Sequence, residues 1–112
     1  MNYQIKELLL IEGDSPFAKW FGSLEAVAAA KVRVAVSRME QGNLSNVEWF
    51  RGIGEYKIDW GPGLRIYLAK DGLKIIILIG GGNKKRQQKD IDQAFALWED
   101  YKRRKASTRQ GK

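Results

Sequence analysis

Lys57 and Asp59, then Arg65 and Tyr67, alternate along two short segments that flank Gly61-Pro62-Gly63. If that tripeptide turns an antiparallel hairpin, same-face residues on its two strands come within reach of one another. Two cations, an acid and a phenol then meet at one place, a set suited to holding phosphoryl oxygens and moving protons. A second basic group, Lys84, Lys85 and Arg86, follows Gly80-Gly81-Gly82. It falls at the expected start of a helix, whose free N–H groups and dipole favour an anion. Three cations there oppose the dipole, a local cost that a bound phosphate would offset. The plain reading, a solvated sheet face and an ordinary polar loop, suits the composition about as well.

The elements that must position these residues follow from periodicity. Glu55, Lys57 and Asp59 alternate with Tyr56, Ile58 and Trp60, the period of a strand. In the next strand Leu64, Ile66 and Leu68 face the core, with Arg65, Tyr67 and Ala69 opposite. Asp71-Gly72 signals a hairpin, and Leu73 to Ile79 is apolar almost throughout, as expected of a central strand covered on both faces. Gly80-Gly81-Gly82 reads as the break that ends this strand, since it lacks the spacing of either glycine-rich nucleotide fingerprint. Asn83 is placed to cap a final helix carrying the stripe Ile91, Ala94, Phe95, Trp98 and Tyr101. Asp90 and Asp92 read as first-turn acids that stabilise its dipole.

Upstream, Tyr3 to Ile11 suits an opening strand that stops at Gly13. Asp14 or Ser15 caps a helix with Pro16 in its first turn. Ser23 is a second cap, ahead of Leu24, Val27, Ala28, Val32, Ala35, Val36 and Met39 at helical spacing until Gly42 and Asn43. Trp20, Phe21, Phe95 and Trp98 read as core. Trp49 and Phe50, on a loop beside Arg51, are placed to stack on a base or a partner. The order β-α-α-β-β-β-α makes an α+β domain with a helical hairpin packed on a mainly antiparallel sheet. The opposite face of that sheet is expected to expose Lys57, Arg65 and Tyr67 side by side.

The chain has 112 residues, room for one domain and its core. It contains neither cysteine nor histidine, which removes thiolate metal sites, thiol catalysis, disulfides and imidazole bases. Twenty Lys and Arg against thirteen Asp and Glu give a net charge of +7, pointing to a polyanionic partner. The apolar run Ile75 to Ile79 is too short to span a bilayer, and the N-terminus lacks a signal-peptide layout. A cytoplasmic protein with no membrane association is expected. Residues 1–105 form the domain in this reading, and 106–112 a basic tail without periodicity.

The run Gly54-Glu55-Tyr56-Lys57-Ile58-Asp59-Trp60-Gly61-Pro62-Gly63-Leu64-Arg65-Ile66-Tyr67, followed by Gly80-Gly81-Gly82-Asn83-Lys84-Lys85 and the Gln87-Gln88-Lys89-Asp90-Ile91 helix start, resembles the HigB-like addiction-module killer proteins of the RelE/ParE toxin superfamily. With the helical hairpin, the resemblance covers the chain from about Tyr3 to Lys105. It implies a RelE-like fold and a bacterial type II toxin that cuts mRNA on the translating ribosome without metal or cofactor. It also implies a cognate antitoxin, HigA-like with a helix-turn-helix, that silences the toxin. By position, Lys57 matches a second-strand lysine of proton transfer or phosphate contact. Arg65 matches the arginine on the scissile phosphate, and Lys85 falls where RelE-like members carry a second arginine. Asp59 stands where RelE has another lysine, and Ile91 where it has a tyrosine.

Such chemistry fits the residue types. RNA is cut by its own 2′-oxygen, so the protein need only align groups, neutralise the phosphorane and move protons. Lys57, Arg65, Tyr67 and Lys85 are the catalytic candidates, with Lys84, Arg86, Gln88 and Arg51 as substrate contacts. Tyr67 or Lys57 carries the proton in this reading, its pKa lowered by cationic neighbours. Two other functions stay open: a ParE-like poison of DNA gyrase, which would not need the Lys57, Arg65 and Lys85 constellation, and a nucleic-acid-binding module without catalysis.

Overall fold

The computed structural model describes residues 2–110. Strand β1 (Gln4–Glu7) leads into helices α1 (Pro16–Gly22) and α2 (Ala26–Glu40). Strands β2 (Val47–Phe50), β3 (Ile53–Ile58), β4 (Leu64–Asp71) and β5 (Ile75–Asn83) follow, then a 3₁₀ turn (Lys84–Arg86) and the long helix α3 (Gln87–Gln110). The sheet order is β1-β5-β4-β3-β2, antiparallel except for β1, which lies parallel to β5. The α+β class and the N-terminal helical hairpin are as expected from sequence; the opening strand is shorter than Tyr3 to Ile11, ending at Glu7, and four larger differences follow.

First, residues 47–50 are a strand, not a loop. Arg51 (φ 54) and Gly52 (φ 82) both take the left-handed region between β2 and β3, the backbone of a two-residue turn that matches strand twist. Second, β5 runs on through the glycines to Asn83, pairing Gly80 with Tyr67, Gly81 with Ile66 and Gly82 with Arg65. A register shift between Tyr67 and Leu68 accompanies this change from branched residues to glycine. Third, Ser23 ends α1, its hydroxyl donating to Trp20 O at 2.6 Å, and α2 starts after Glu25. Ser15 caps α1 as read, accepting from Ala18 N, and Asn83 caps the 3₁₀ turn through Lys85 N.

Fourth, both faces of the sheet are covered. Strand alternation sends Tyr56, Ile66, Leu68, Ile76 and Leu78 into a core with Phe17, Ala28, Val32, Ala35 and Met39 of the hairpin. The intervening residues Ile53, Tyr67, Ala69, Ile77 and Ile79 pack against Ala94 and Trp98 of α3. The face expected to lie open is therefore half roofed, because the apolar stripe of α3 has to be buried somewhere and the hairpin already fills the first face. α3 continues to Gln110, so residues 106–110 of the expected tail are helical; Gly111 and Lys112 lie outside the described residues.

The glycine run is a matter of space as well as conformation. A Cβ on Gly81 would stand 2.2 Å from the Trp20 ring, whereas one on Gly80 would meet nothing within 4 Å. Gly81→Ala is therefore expected to cost about 1–3 kcal/mol through overpacking, and Gly80→Ala to fall within about 0.5 kcal/mol of wild type. Urea unfolding of the two variants measures the difference.

Candidate active site

Two adjacent cross-strand pairs build the site. Glu55 lies opposite Tyr67 and Lys57 opposite Arg65 on β3 and β4, so all four side chains share the face under the start of α3. Glu55 is at the centre, only 1% exposed. A carboxylate buried that deeply needs partners on both oxygens. The Tyr67 hydroxyl donates to Oε2 at 3.0 Å, and Gln87 Nε2 donates to both oxygens, at 3.1 and 2.9 Å. Arg65 Nε stands 3.3 Å from Oε2 as an ion pair but out of line for a hydrogen bond, so Nε itself has no hydrogen-bond partner. Lys57 Nζ is 4.0 Å from Oε1 and closer, 3.1 Å, to the exposed Glu48.

Arg65 is the hinge between this network and the second basic group. It is 8% exposed, and its Nη1 donates to Gly63 O at 3.2 Å. The same carbonyl accepts from Lys84 N at 3.0 Å. Gly63 has φ +80, and a Cβ there would meet Arg65 Nη1 at 3.0 Å and Lys84 Cβ at 3.3 Å. The hairpin turn and the 3₁₀ turn are thus drawn together at the Gly63 carbonyl, with the Arg65 guanidinium and Lys84 against it; Lys85 and Arg86, the next residues of the turn, are exposed.

Tyr67 does not fit the role of proton carrier. It is 1% exposed, and burial first, then the charge and hydrogen bond of Glu55, push its pKa well above the ordinary 10.0. The cationic depression expected from sequence is outweighed: Arg65 does lower the value, but it is the smallest contribution. The phenol keeps its proton and uses it to hold Glu55.

The remaining candidates separate from this centre. Arg51 sits at the other end of β3, paired to Asp92 at 3.3 Å with its guanidinium 4.1 Å above the Phe95 ring, clamping α3 to the β2–β3 turn. Gln88 donates to Asp92 at 3.0 Å along α3; its neighbour Gln87 is the residue that enters the site. Asp59 lies past the end of β3 and lines a groove beside α2. Trp49 belongs to β2 and stays exposed, with Lys70 Nζ 5.5 Å from its ring. Among the described residues no group of His, Cys, Asp or Glu is placed to hold a metal ion, and no helix is long and apolar enough to cross a membrane.

Sequence reading missed Glu55 and Gln87. Glu55 fell on the correct face by alternation, but its burial depends on α3 crossing that face, and Gln87 stands far from it in the chain. A carboxylate between Gly54 and an aromatic, with the cation Lys57 two residues on in the same strand, was the available signal.

These features define a small α+β protein with a five-stranded mixed sheet, helices on both faces and a buried carboxylate–guanidinium pair under a basic corner. The chain belongs to one family with a Haemophilus influenzae protein described as uncharacterized, to which it is 36% identical over 99 residues, 87% of this chain and 94% of that protein. No protein-family model matches the chain, and no solved structure matches it.

Removing the Tyr67 hydroxyl leaves one oxygen of a buried carboxylate short of a donor, so Tyr67→Phe is expected to cost about 1–3 kcal/mol near neutral pH. The sign of its pH dependence is also fixed. A raised folded-state pKa means that the neutral phenol is favoured by folding, a contribution complete below pH 10.0 and lost as pH climbs toward the folded value. Between pH 9 and about 11.5, wild type should therefore lose stability more steeply than Tyr67→Phe, measured by urea unfolding at stepped pH.

Proposed function

We propose that the chain is a RelE-like toxin of a type II toxin–antitoxin pair, an endoribonuclease that cuts mRNA on the translating ribosome without a metal, works in the cytoplasm and is silenced by a HigA-like antitoxin. The observation that carries this reading is the Gly63 corner. There the Arg65 guanidinium and the head of the basic 3₁₀ turn, through Lys84 N, meet on one carbonyl, with Arg65 and Lys84 packed so close that only glycine fits.

A phosphorane gathers charge on its equatorial oxygens, and pre-positioned cations stabilise it most when they need no reorganisation. Arg65 meets that condition, because Glu55 and Gly63 O hold it from two sides. Lys57 is exposed, and its shorter ion pair is with the surface acid Glu48, 3.1 Å away against 4.0 Å to Glu55, a pairing worth little that an RNA phosphate can displace. Lys84, Lys85 and Arg86 supply the mobile part of the clamp. The net charge of +7 speeds encounter with ribosomal RNA and suits an acidic antitoxin segment. Retention of the Lys57, Arg65 and Lys85 set favours RNA cleavage over a gyrase poison.

The test is primer extension on one defined mRNA, with and without translating ribosomes. Wild type should give discrete cuts that require ribosomes, and the purified antitoxin complex none. Arg65→Lys, which keeps the charge that neutralises Glu55 but loses the planar fork, should slow cutting by roughly two to three powers of ten while still folding. Uncut mRNA under both conditions would sink the reading and direct attention to gyrase supercoiling.

A further inference from the structure

Asp90 is the acid near the site that the Glu55 network leaves unused. It stands in the first turn of α3 with Oδ2 so close over Gly82 that a Cβ there would meet it at 2.0 Å. Gly82 is the cross-strand partner of Arg65, so the carboxylate and the arginine stem rise from neighbouring points of one face. Among the described residues no hydrogen bond or ion pair engages Asp90. Asp92, two residues on, is taken by Arg51 and Gln88, and Glu55 has both oxygens occupied and is out of reach of solvent.

The place is also open to a ligand. Two clefts run along the glycine end of β5 and share Trp20, Gly81, Arg86 and Asp90 as lining. A strand passing through them would lie between the free carboxylate on one side and the basic corner on the other.

We propose that Asp90 is the general base of the cleavage, a role that rests on the ribonuclease reading above. Asp90 Oδ2 takes the proton of the 2′-hydroxyl, the 2′-oxygen forms its bond to phosphorus, and the bond from phosphorus to the 5′-oxygen breaks. The Lys57 ammonium gives its proton to the departing 5′-oxygen. The products are a 2′,3′-cyclic phosphate and a 5′-hydroxyl, with no change of oxidation state. Arg65 and the 3₁₀-turn cations hold the phosphoryl oxygens throughout.

The surroundings suit a base. Burial raises the proton affinity of Asp90 above that of an ordinary carboxyl, against the opposing charges of Arg86 and Lys89. Around it are Arg86 and Lys89 from its own segment and Tyr67 from β4, and its two clefts are lined also by Lys19 from α1 and Glu25, the residue ahead of α2. Of these only Tyr67 and Glu25 lack a positive charge, and Tyr67 stays neutral.

Single-turnover cutting of a defined mRNA by the full chain on translating ribosomes tests the assignment. Asp90→Asn is expected to slow cutting by about 10²–10⁴-fold, with RNA affinity and melting temperature near wild type. The acid limb of the pH–rate profile should vanish with it, while Arg65→Lys retains that limb at a lower rate. Asp90→Ala leaves space over Gly82, and added formate should restore part of its rate, which a purely structural role would not permit. Asp90→Asn cutting within about threefold of wild type, or Asp90→Ala deaf to formate, overturns the assignment and leaves the ribonuclease reading intact. A wild type that cuts nothing overturns both.

Discussion

The arrangement depends on one buried charge. Taking the Glu55 carboxylate out of water costs several kcal/mol unless every lone pair finds a partner, and its partners come from three separate elements: Tyr67 and Arg65 from β4, Lys57 from β3 itself, and Gln87 from the head of α3. Meeting that need fixes the β3–β4 register, since a slip of one residue would send Tyr67 and Arg65 to the hairpin face. It also fixes where α3 begins. The same contacts that satisfy Glu55 immobilise Arg65, so the cost of burying the acid is recovered as a guanidinium that needs no ordering when a phosphate arrives.

A sheet covered on both sides sets how much of this face is usable. α1 and α2 fill one face with small and branched side chains, and α3 lies across the other with Ala94 and Trp98. Because α3 starts only after the Lys84–Arg86 turn, it roofs Tyr67 and Ala69 yet leaves the Arg65 end of β4 at a rim. The glycines of β5 lie at that rim. They permit Trp20 and Asp90 to close in on the backbone from opposite faces, and this approach, not flexibility, is what glycine supplies there.

Much of the fold was legible in the residues. Alternation through Tyr56, Ile58, Leu64, Ile66 and Leu68 located the hairpin and its two faces, and Pro16 and the Asp71-Gly72 pair marked a helix start and a turn. What failed was non-local. Gly80-Gly81-Gly82 looks like a strand exit because the ladder to Tyr67 and Arg65 that keeps it extended is invisible in the local sequence. Val47 to Phe50 is too short to show a period. The basic end of α3 lacks an apolar stripe because its last turns have little to pack against. For the site, Arg65, Lys57 and Lys84 were brought to one region as their spacing suggested. Tyr67 changed role, since a phenol in an alternating strand looks exposed until α3 is laid over it.

The clamp at the far end of α3 bears on how this fold tolerates insertions. Tyr101 and Lys105 both bind Asp71 at the tip of the β4–β5 hairpin, while Gln87 binds Glu55 at the other end. Gln87 and Lys105 are about five helical turns apart at 3.6 residues per turn, so both project from one side of the helix. Adding or losing a single residue between them would rotate one anchor about 100° away from its acid. A helix on a sheet with one anchor can slide or lengthen; this one, held at Gln87 and at Lys105, has a register as strict as that of a strand.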